Sequence, residues 1–516
     1  MGKKNIDLLF INPSARKKVY QERQEKIDYP ALEPPYLAAL SAEFVRSRGY
    51  EVRILDANVN NLTHAEINEA IKDYNPKLVH IIVHGNQPSA STQLMDEVGS
   101  ICRNTKALGL GVKISLSGTH PSALPKRTLL EEDCDFVIRG EGYKTLTGLL
   151  EEKPLSEIPG LWYKENGEVK QGPIDKLMST QEMHEFLPRA AWDLLPIDKY
   201  RAHNWHCFDD VDKRQPYASI YTSFGCPFKC TFCCINAPFT EGGTVNPAIR
   251  FRDPDDIVAE IDWLVKNHGI RNVKIIDEMF VFNKKHYLGI SKKLINRGHD
   301  LNLWAYARVD TVREGYLDTL KRAGFNWLGI GIESGSKHVR DGVEKGRRIN
   351  EEIITDIVGK IKNAGINVGC NYIFGLPDDT MESMQQTLDL AYEVNGEWTN
   401  MYCAMAYPGS ELYKLASKGI LLKPKDWSSD RPVLPEDKGG PGWIGYSQHS
   451  YETLPLPTEK LYPEQVLEFR DMAHVSFYRS DCFLGMIKNK FGDKVREHVR
   501  NMVEETPKRR ILGHKI

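Results

Sequence analysis

Short apolar runs alternate with amphipathic stretches through the first 150 residues of the chain. The runs are rich in Ile, Val and Leu, which is typical of strands buried on both faces of a sheet. The stretches between them have helical periodicity, so the alternation predicts βαβ units on a parallel, doubly wound sheet. The predicted strands are residues 6–11, 52–55, 78–83, 112–116 and 136–138.

A second alternating segment extends from about residue 217 to residue 407. It holds six strand–helix units, whereas a complete eight-unit barrel needs about 250 residues. The segment therefore predicts an open, partial (β/α)6 barrel of the TIM type. Its predicted strands are residues 219–223, 273–277, 303–307, 327–332, 368–374 and 400–406.

The remaining segments lack the regular alternation of strand and helix patterns that these two show. Residues 151–212 are punctuated by proline and predict a linker with a small β element, whereas the last hundred residues have few strand signals and three helical patterns. The sequence thus predicts an α/β protein with a doubly wound domain at 1–150, a linker at 151–212, a partial barrel at 213–412 and a small helical domain at 413–516.

Charge and composition exclude some classes of function. The 68 basic and 70 acidic residues give a net charge of −2, so the protein has no net positive potential that would attract a nucleic acid backbone. No apolar stretch reaches about 18 residues, and the N-terminal apolar run lacks a cleavage pattern. We therefore expect a cytosolic protein that binds neither nucleic acid nor membrane.

Cysteines carry the most specific signal in the sequence. Of ten cysteines, Cys226, Cys230 and Cys233 form a C-x3-C-x2-C motif directly after the first predicted barrel strand. A structural zinc would need a fourth protein ligand, and the nearby candidate, Cys234, is adjacent to Cys233 and would normally point elsewhere. Three thiolates on a 4Fe–4S cluster leave one iron open for a substrate. A zinc site and a group of inert core cysteines remain alternatives.

The motif and its position resemble the radical S-adenosylmethionine (SAM) enzymes, and Phe232 supplies the aromatic residue found between the second and third cysteines. In that family the open iron is chelated by SAM, whose reductive cleavage gives a 5′-deoxyadenosyl radical. The resemblance implies an electron donor such as flavodoxin or ferredoxin, and it implies SAM contacts at the strand ends, namely Asp277, Glu278, Arg308, Glu333, Lys345 and Asn371. A simple Arg308–Glu333 ion pair and a solvated Lys345 are the alternative interpretations.

The N-terminal sheet resembles the cobalamin-binding domain of the cobalamin-dependent radical SAM class, through residues 117–121 and 137–142. Ligands of such sheets bind beyond the carboxyl ends of the strands. The D-x-H-x-x-G motif, whose histidine ligates cobalt in some cobalamin enzymes, is absent after the first strand. We therefore expect cobalamin to be held without an imidazole from that loop, by residues drawn from Asn12, His84, Gly85, Gly118, His120, Gly140, Glu141 and Gly142.

Most enzymes of this class are methyltransferases, so the resemblance implies methyl transfer from methylcobalamin to an unactivated carbon of a small molecule after hydrogen abstraction. The substrate would lie between the two α/β domains, with the C-terminal helices as a lid. Alternatives are a cyclase, oxidase or rearrangement enzyme with the same cofactors, a tRNA methylthiotransferase, and a non-enzymatic cobalamin or iron–sulfur sensor. The polar and aromatic cluster at 201–206 would line the cavity or brace the interface.

Overall fold

A computed structural model describes residues 5–20, 30–242, 249–346, 349–421 and 423–515. Within these ranges the molecule contains two parallel α/β units followed by helices, which confirms the predicted fold class. No helix among the described residues is both long enough and apolar enough to cross a membrane.

The N-terminal sheet has seven strands in the order β2-β1-β3-β4-β5-β6-β7. The first five strands are parallel, and every position of β1 and β3 is buried because helices cover both faces. An antiparallel hairpin, β6–β7, extends the sheet into residues 151–212, where the sequence predicts a linker with a small β element. The strands are β1 (Leu8–Asn12), β2 (Val52–Asp56), β3 (Leu78–Val83), β4 (Lys113–Gly118), β5 (Phe136–Ile138), β6 (Leu161–Glu165) and β7 (Glu168–Gln171).

Two of the connecting helices begin at capping boxes, which Thr63 forms with Glu66 and Ser179 forms with Glu182. The helices of this part are α1 (Arg16–Tyr20), α2 (Tyr36–Arg46), α3 (His64–Tyr74), α4 (Met95–Ala107), α5 (Thr119–Ala123), α6 (Pro125–Glu131), α7 (Tyr143–Leu150) and α8 (Thr180–Phe186).

The second sheet has six parallel strands in the order β15-β14-β13-β12-β11-β8, which is the open partial barrel that the sequence predicts. A separate short antiparallel pair, β9–β10, lies beside its first strand. The strands are β8 (Tyr217–Ile220), β9 (Ser223–Phe224), β10 (Arg250–Phe251), β11 (Asn272–Ile275), β12 (Asn302–Arg308), β13 (Phe325–Glu333), β14 (Asn367–Phe374) and β15 (Trp398–Cys403).

The first barrel strand ends three residues earlier than predicted. After Ile220 the chain leaves the sheet, and Ser223 and Phe224 pair with Phe251 and Arg250 instead. Thr222 and Ser223 donate hydrogen bonds to the buried Asp277 carboxylate, which holds this departure in place. The barrel helices are α9 (Pro254–His268), α10 (Lys284–Arg297), α11 (Leu317–Arg322), α12 (Lys337–Gly342), α13 (Glu351–Asn363) and α14 (Met381–Val394).

The C-terminal part is helical and packs on the last barrel strands. Its longest helix contacts both β15 and α14, and Tyr478 donates a hydrogen bond to the Thr399 carbonyl at 2.6 Å. This part contains α15 (Glu411–Ser417), α16 (Pro463–Arg479), α17 (Asp481–Phe491) and α18 (Asp493–Met502).

The two α/β units meet through apolar and buried polar contacts. Cys234, Met405 and Tyr407 of the barrel side share one hydrophobic cluster with core residues of the N-terminal sheet. The buried Arg252 donates hydrogen bonds to the Tyr36 hydroxyl of α2 at 2.5 Å and to Glu260 of α9 at 2.9 Å. These contacts set the carboxyl ends of both sheets against each other.

Candidate active site

The three motif cysteines lie on a loop between β9 and β10 that backbone contacts hold in place. The Cys226 amide donates to Asn236 Oδ1 at 2.9 Å, and Asn236 Nδ2 donates back to the Cys226 carbonyl at 3.0 Å. The Cys233 amide donates to the Cys230 carbonyl at 3.0 Å. Asn236 is therefore a positioning residue that the sequence analysis missed, because an asparagine outside any motif gives no signal.

The thiols of this loop differ in environment. Cys226 and Cys234 are buried, whereas Cys233 is exposed. Burial raises the pKa of the Cys226 thiol to about 12, so binding a metal there has to displace a proton. Among the described residues, no three His, Cys, Asp or Glu side chains converge on one metal-ion position. Phe232 is half-buried between two small apolar clusters and anchors the loop.

Arg308, at the end of β12, lies directly over the cysteine loop. Its Nη1 is 3.5 Å from Cys230 Sγ, and its guanidinium carbon is 3.8 Å from the Phe228 ring centroid. Asp310 accepts a hydrogen bond from Arg308 Nε at 3.0 Å, and the Lys345 carbonyl accepts another from Nη2. A fixed cation therefore faces a sulfur that would carry negative charge as a thiolate.

Glu333 and Lys345 form a buried ion pair at the end of β13. Lys345 Nζ donates to Glu333 Oε1 at 2.6 Å, so neither of the alternative interpretations, a surface lysine or an Arg308–Glu333 pair, describes this site. Burial disfavours the Lys345 ammonium, but the Glu333 carboxylate prevails and raises the pKa of Lys345. Glu333 has a φ of 69° at a register shift between β13 and β14, a strained conformation of the kind found at functional sites.

The two acidic residues after β11 have different surroundings. The Asp277 carboxylate is fully buried and accepts three hydrogen bonds from Thr222 and Ser223, so it braces the strand end. Burial raises the pKa of the neighbouring Glu278 to about 7. No hydrogen-bond partner for its carboxyl group is found in the part of the chain that the structure describes. Of the two predicted contacts, Glu278 has the carboxylate that is available to a ligand.

A cavity of about 360 Å3 lies between the N-terminal sheet and the barrel. Of the predicted cofactor contacts, Asn12, His84, Gly85 and Asn371 line it. Asn371 is held by Asn400, whose Nδ2 donates to Asn371 Oδ1 at 2.9 Å. The barrel contributes aromatic walls, among them Trp304 and Tyr306, so the cavity combines a polar rim with flat apolar surfaces.

The polar and aromatic cluster at residues 201–206, which precedes the barrel in sequence, closes one end of this cavity. His203 and Trp205 line it, and Trp205 packs against Trp304, Trp327 and Trp398 with ring centroids 4.9 to 6.1 Å apart. The segment thus lines the cavity and also plugs the amino-terminal end of the barrel.

Both candidate histidines of the N-terminal unit are held by neighbouring hydroxyl groups. His84 Nδ1 lies 3.1 Å from Thr119 Oγ1, and its Nε2 lies 3.2 Å from Tyr221 Oη. His120 Nδ1 lies 3.3 Å from Thr92 Oγ1. Burial lowers the pKa of His84 to about 4 and that of His120 to about 3, so both rings are neutral at pH 7.

Glycine allows close backbone approach at two of the predicted loops. A Cβ on Gly118, which has a φ of 111°, would lie 2.3 Å from the Val83 carbonyl oxygen. A Cβ on Gly85 would lie 2.7 Å from the backbone of Ala90. A side chain at either position would therefore displace the neighbouring backbone, so both turns favour glycine.

The loop at residues 140–142, which follows β5, connects the N-terminal unit to the barrel through side-chain contacts. Glu141 forms an ion pair with Arg250 of β10 at 2.8 Å and accepts a hydrogen bond from the Met178 amide at 2.9 Å. The flanking Gly140 and Gly142 both have positive φ, and Gly142 is the N-cap residue directly before helix α7. These contacts brace the loop against β10 and the segment before helix α8.

Comparisons with known proteins identify the families to which the two α/β units are similar. Residues 220–391 match the radical SAM superfamily, and residues 29–150 match the B12 binding domain. An uncharacterized methyltransferase from Pyrococcus horikoshii is 31% identical over 407 residues, which cover 78% of this chain and 82% of that protein. An anaerobic magnesium-protoporphyrin IX monomethyl ester cyclase from Rubrivivax gelatinosus is 25% identical over 415 residues, which cover 78% and 70% of the two chains.

Solved structures share the whole architecture. TsrM from Kitasatospora setae, a radical SAM methyltransferase with cobalamin and a 4Fe–4S cluster bound, has a TM-score of 0.67 at 16% identity, covering 97% of this chain and 99% of that chain. The cobalamin-dependent radical SAM enzyme OxsB has a TM-score of 0.66 at 15% identity, covering 97% and 72%. The sequence relatives and the two matched domains show that the chain belongs to the cobalamin-dependent radical SAM enzymes.

Proposed function

We propose that this protein is a methyltransferase that places a methyl group on an unactivated carbon of a small molecule. The observation that supports this most strongly is the cavity between the two units, because loops of the B12-binding part and the interior of the barrel line the same space. A substrate there would face both cofactor regions at once. Methyltransferases among the relatives and the matched structures support the same reaction class.

The donor groups fit the cofactors of the family. Cys226, Cys230 and Cys233 would hold a 4Fe–4S cluster, and Arg308 lies beside the Cys230 sulfur. SAM carries an ammonium, a carboxylate and ribose hydroxyls, which Glu278, the Glu333–Lys345 pair and Asn371 can recognise.

For cobalamin, the contacts would come from the loops after β3 and β4, whose turns at Gly85 and Gly118 pack closely against the backbone of Ala90 and Val83. His84 and His120 would contact the ring or its tail, since hydroxyl groups already hold both imidazoles. When bound, the cluster with SAM supplies a 5′-deoxyadenosyl radical, and cobalamin supplies a transferable methyl group.

The chain itself would orient the reactants and exclude water. Trp205 and its aromatic neighbours close one end of the cavity, and Lys274 fixes the interface by pairing with Glu33 at 2.8 Å. These groups hold a substrate against both units without taking part in bond making.

The test uses anaerobically reconstituted protein with cobalamin, a reductant and SAM carrying a deuterated methyl group. It is incubated with a small-molecule extract, and products are measured by mass spectrometry. We expect 5′-deoxyadenosine, S-adenosylhomocysteine and a small molecule carrying the deuterated methyl group. Cys226→Ala should abolish all three, whereas Cys234→Ala, which removes a buried thiol next to the motif, should keep them. Wild-type protein that forms none of the three products would contradict the proposal.

The second candidate is a cyclase or oxidase that uses the same cofactors. The relative from Rubrivivax gelatinosus carries a cyclase name at 25% identity. Under this alternative the same assay yields 5′-deoxyadenosine and an oxidised or cyclised product without deuterium. An electron donor of the flavodoxin or ferredoxin type would replace the chemical reductant in either case.

A further inference from the structure

One wall of the cavity is formed partly by polar side chains of helix α16. None of these side chains is among the proposed cofactor contacts. Arg470 and His474 lie one helical turn apart, so their side chains share a face of α16. Both line the cavity, and His449 from the preceding loop lines it beside them. We call Arg470, His474 and His449 the α16 wall.

The α16 wall has more positive than negative charge. Arg470 Nη1 lies 3.2 Å from Asp471, and the fully buried Arg509 donates to the same carboxylate at 2.9 Å. Two guanidinium groups thus share one carboxylate. The other buried charges lining the cavity, Lys274 and Glu33, balance each other.

Arg470 is also incompletely satisfied within the chain. Its side chain is 6% exposed, and its buried Nε has no hydrogen-bond partner among the described residues. Its Nη2 donates to the Gln448 carbonyl at 2.9 Å. A buried guanidinium that shares its carboxylate with a second guanidinium, and whose Nε is unpaired, is costly, and a ligand anion would supply the missing partner.

His449 and His474 can donate hydrogen bonds to a ligand while their imidazole rings stay neutral. Burial lowers the pKa of His449 to about 3 and that of His474 to about 4, with the nearby Arg470 as the next contribution in each case. Each neutral ring presents one N–H. No hydrogen bond from either imidazole is found in the described part of the chain, so both remain available to a ligand.

We propose that the α16 wall binds an anionic group of the substrate, a carboxylate or a phosphate, and so selects an acidic small molecule. This inference rests on the proposed function, because it identifies the substrate class of the same cavity. The anion would complete the charge balance around Arg470 and accept hydrogen bonds from His449 and His474. Asn371 lines the same cavity, so the anchored substrate would lie beside the SAM-binding strand ends.

The first experiment measures inorganic phosphate binding to the cobalamin-loaded, cluster-loaded protein by calorimetry, at constant ionic strength with chloride as the replaced ion. We expect wild-type protein to bind phosphate, and Arg470→Met to weaken the binding about tenfold or more, as loss of a charge-assisted hydrogen bond should. Equal binding by wild type and variant, or no binding by wild type, would overturn the proposal.

The second experiment separates a binding role from a structural one. In the ligand-free protein, Arg470→Met should leave the melting temperature unchanged or raise it, because the remaining Arg509–Asp471 pair is balanced. The matched control is Arg252→Met, which removes the cation that pairs with the buried Glu260 carboxylate. This variant should lower the melting temperature. A comparable loss in both variants would show that Arg470 is only structural.

The third measurement identifies the source of the anion. Cobalamin has a phosphodiester in its nucleotide tail, so its affinity is compared between wild type and Arg470→Met. Equal cobalamin affinity supports a substrate anion, whereas a loss that matches the phosphate result assigns the α16 wall to the cofactor and overturns the proposal. Production of 5′-deoxyadenosine by wild-type protein is assayed separately, so failure of the proposed function is distinguishable from failure of this inference.

Discussion

The Glu333–Lys345 pair places two opposite charges in nearly buried positions at the end of β13, where we propose that they contact SAM. Both side chains are nearly buried, and a Cβ on Gly331 would lie 2.5 Å from Glu333 Oε1 and 2.7 Å from Lys345 Nζ. Glycine at 331 therefore leaves the space that the pair occupies. A buried pair of this kind contributes little net stability, which agrees with the proposed role of presenting fixed charges to SAM.

This predicts separate effects on SAM binding and on stability. Lys345→Met should weaken SAM binding about 10- to 100-fold and destabilise the protein, because it leaves the Glu333 carboxylate buried and unpaired. Adding Glu333→Gln should restore stability without restoring SAM affinity. The measurements are equilibrium SAM binding to the cluster-loaded protein and thermal unfolding. Lys337→Met, at an exposed lysine that pairs with Asp341, is the control and should change neither. Normal SAM affinity in Lys345→Met would refute the assignment.

At the scale of elements, function depends on where parallel strands end. The loops after β1, β3 and β4 face the barrel because all carboxyl ends of a parallel sheet lie at one edge. At the end of β4, Gly118 turns the chain directly into helix α5 against the Val83 carbonyl of β3. The packing of this turn against β3 therefore fixes the position of His120 in the following helix.

A pair of glycine substitutions tests this turn. Gly118→Ala should cost about 3 kcal/mol of unfolding free energy, because it combines an unfavourable φ with a backbone overlap. Gly111→Ala, at a φ of 70° with no atom within 4 Å of the added Cβ, should cost only about 1 kcal/mol. Urea unfolding measures both, and cobalamin affinity should fall only in Gly118→Ala. Equal costs at the two positions would contradict the tight packing of the turn.

At the scale of the whole molecule, the two units bury neutral histidines in their interiors and between them. His80 in β3 lies 2.7 Å from Ser115 Oγ and 2.9 Å from Ser117 Oγ, and burial lowers its pKa to about 3. His206 is bonded to the Asn302 carbonyl at 2.9 Å, and burial lowers its pKa to about 3 as well. Such groups make the folded state sensitive to acid.

The pH dependence has a defined sign. An unfolded histidine binds a proton near pH 6.5, whereas folded His80 stays neutral until about pH 3, so stability falls as the pH drops below 6.5. Between pH 7 and pH 5, His80 alone should remove about 2 kcal/mol of unfolding free energy. His80→Gln should reduce the pH dependence by that amount in urea unfolding.

The control for this experiment is a histidine with the opposite shift. A hydrogen bond to Asp256 raises the pKa of the exposed His184, so His184 favours the folded state at low pH. His184→Gln should therefore leave the acid loss at least as large as in the wild type. An unchanged pH dependence in His80→Gln would show that His80 becomes protonated in the folded state.

Sequence alone was sufficient for the family, the fold class and the positions of most strands along the chain, because these follow from local periodicity and from a motif whose residues are close along the chain. The runs at 78–83 and 136–138 were predicted to the residue, since buried strands of parallel sheets are continuously apolar. The early end of β8 was missed, because it depends on Asp277, which is more than fifty residues away along the chain.

Tertiary structure decided which side chains face one another. Only the folded chain pairs Lys345 with Glu333, turns Asp277 into the core while Glu278 stays available, and brings Asn236 to the Cys226 backbone. Only the folded chain places Arg470 on the cavity that Asn12 and Asn371 also line. The physical reason is that side-chain partners and buried charge balance depend on contacts between residues distant in sequence, whereas strand and helix patterns depend on neighbours along the chain.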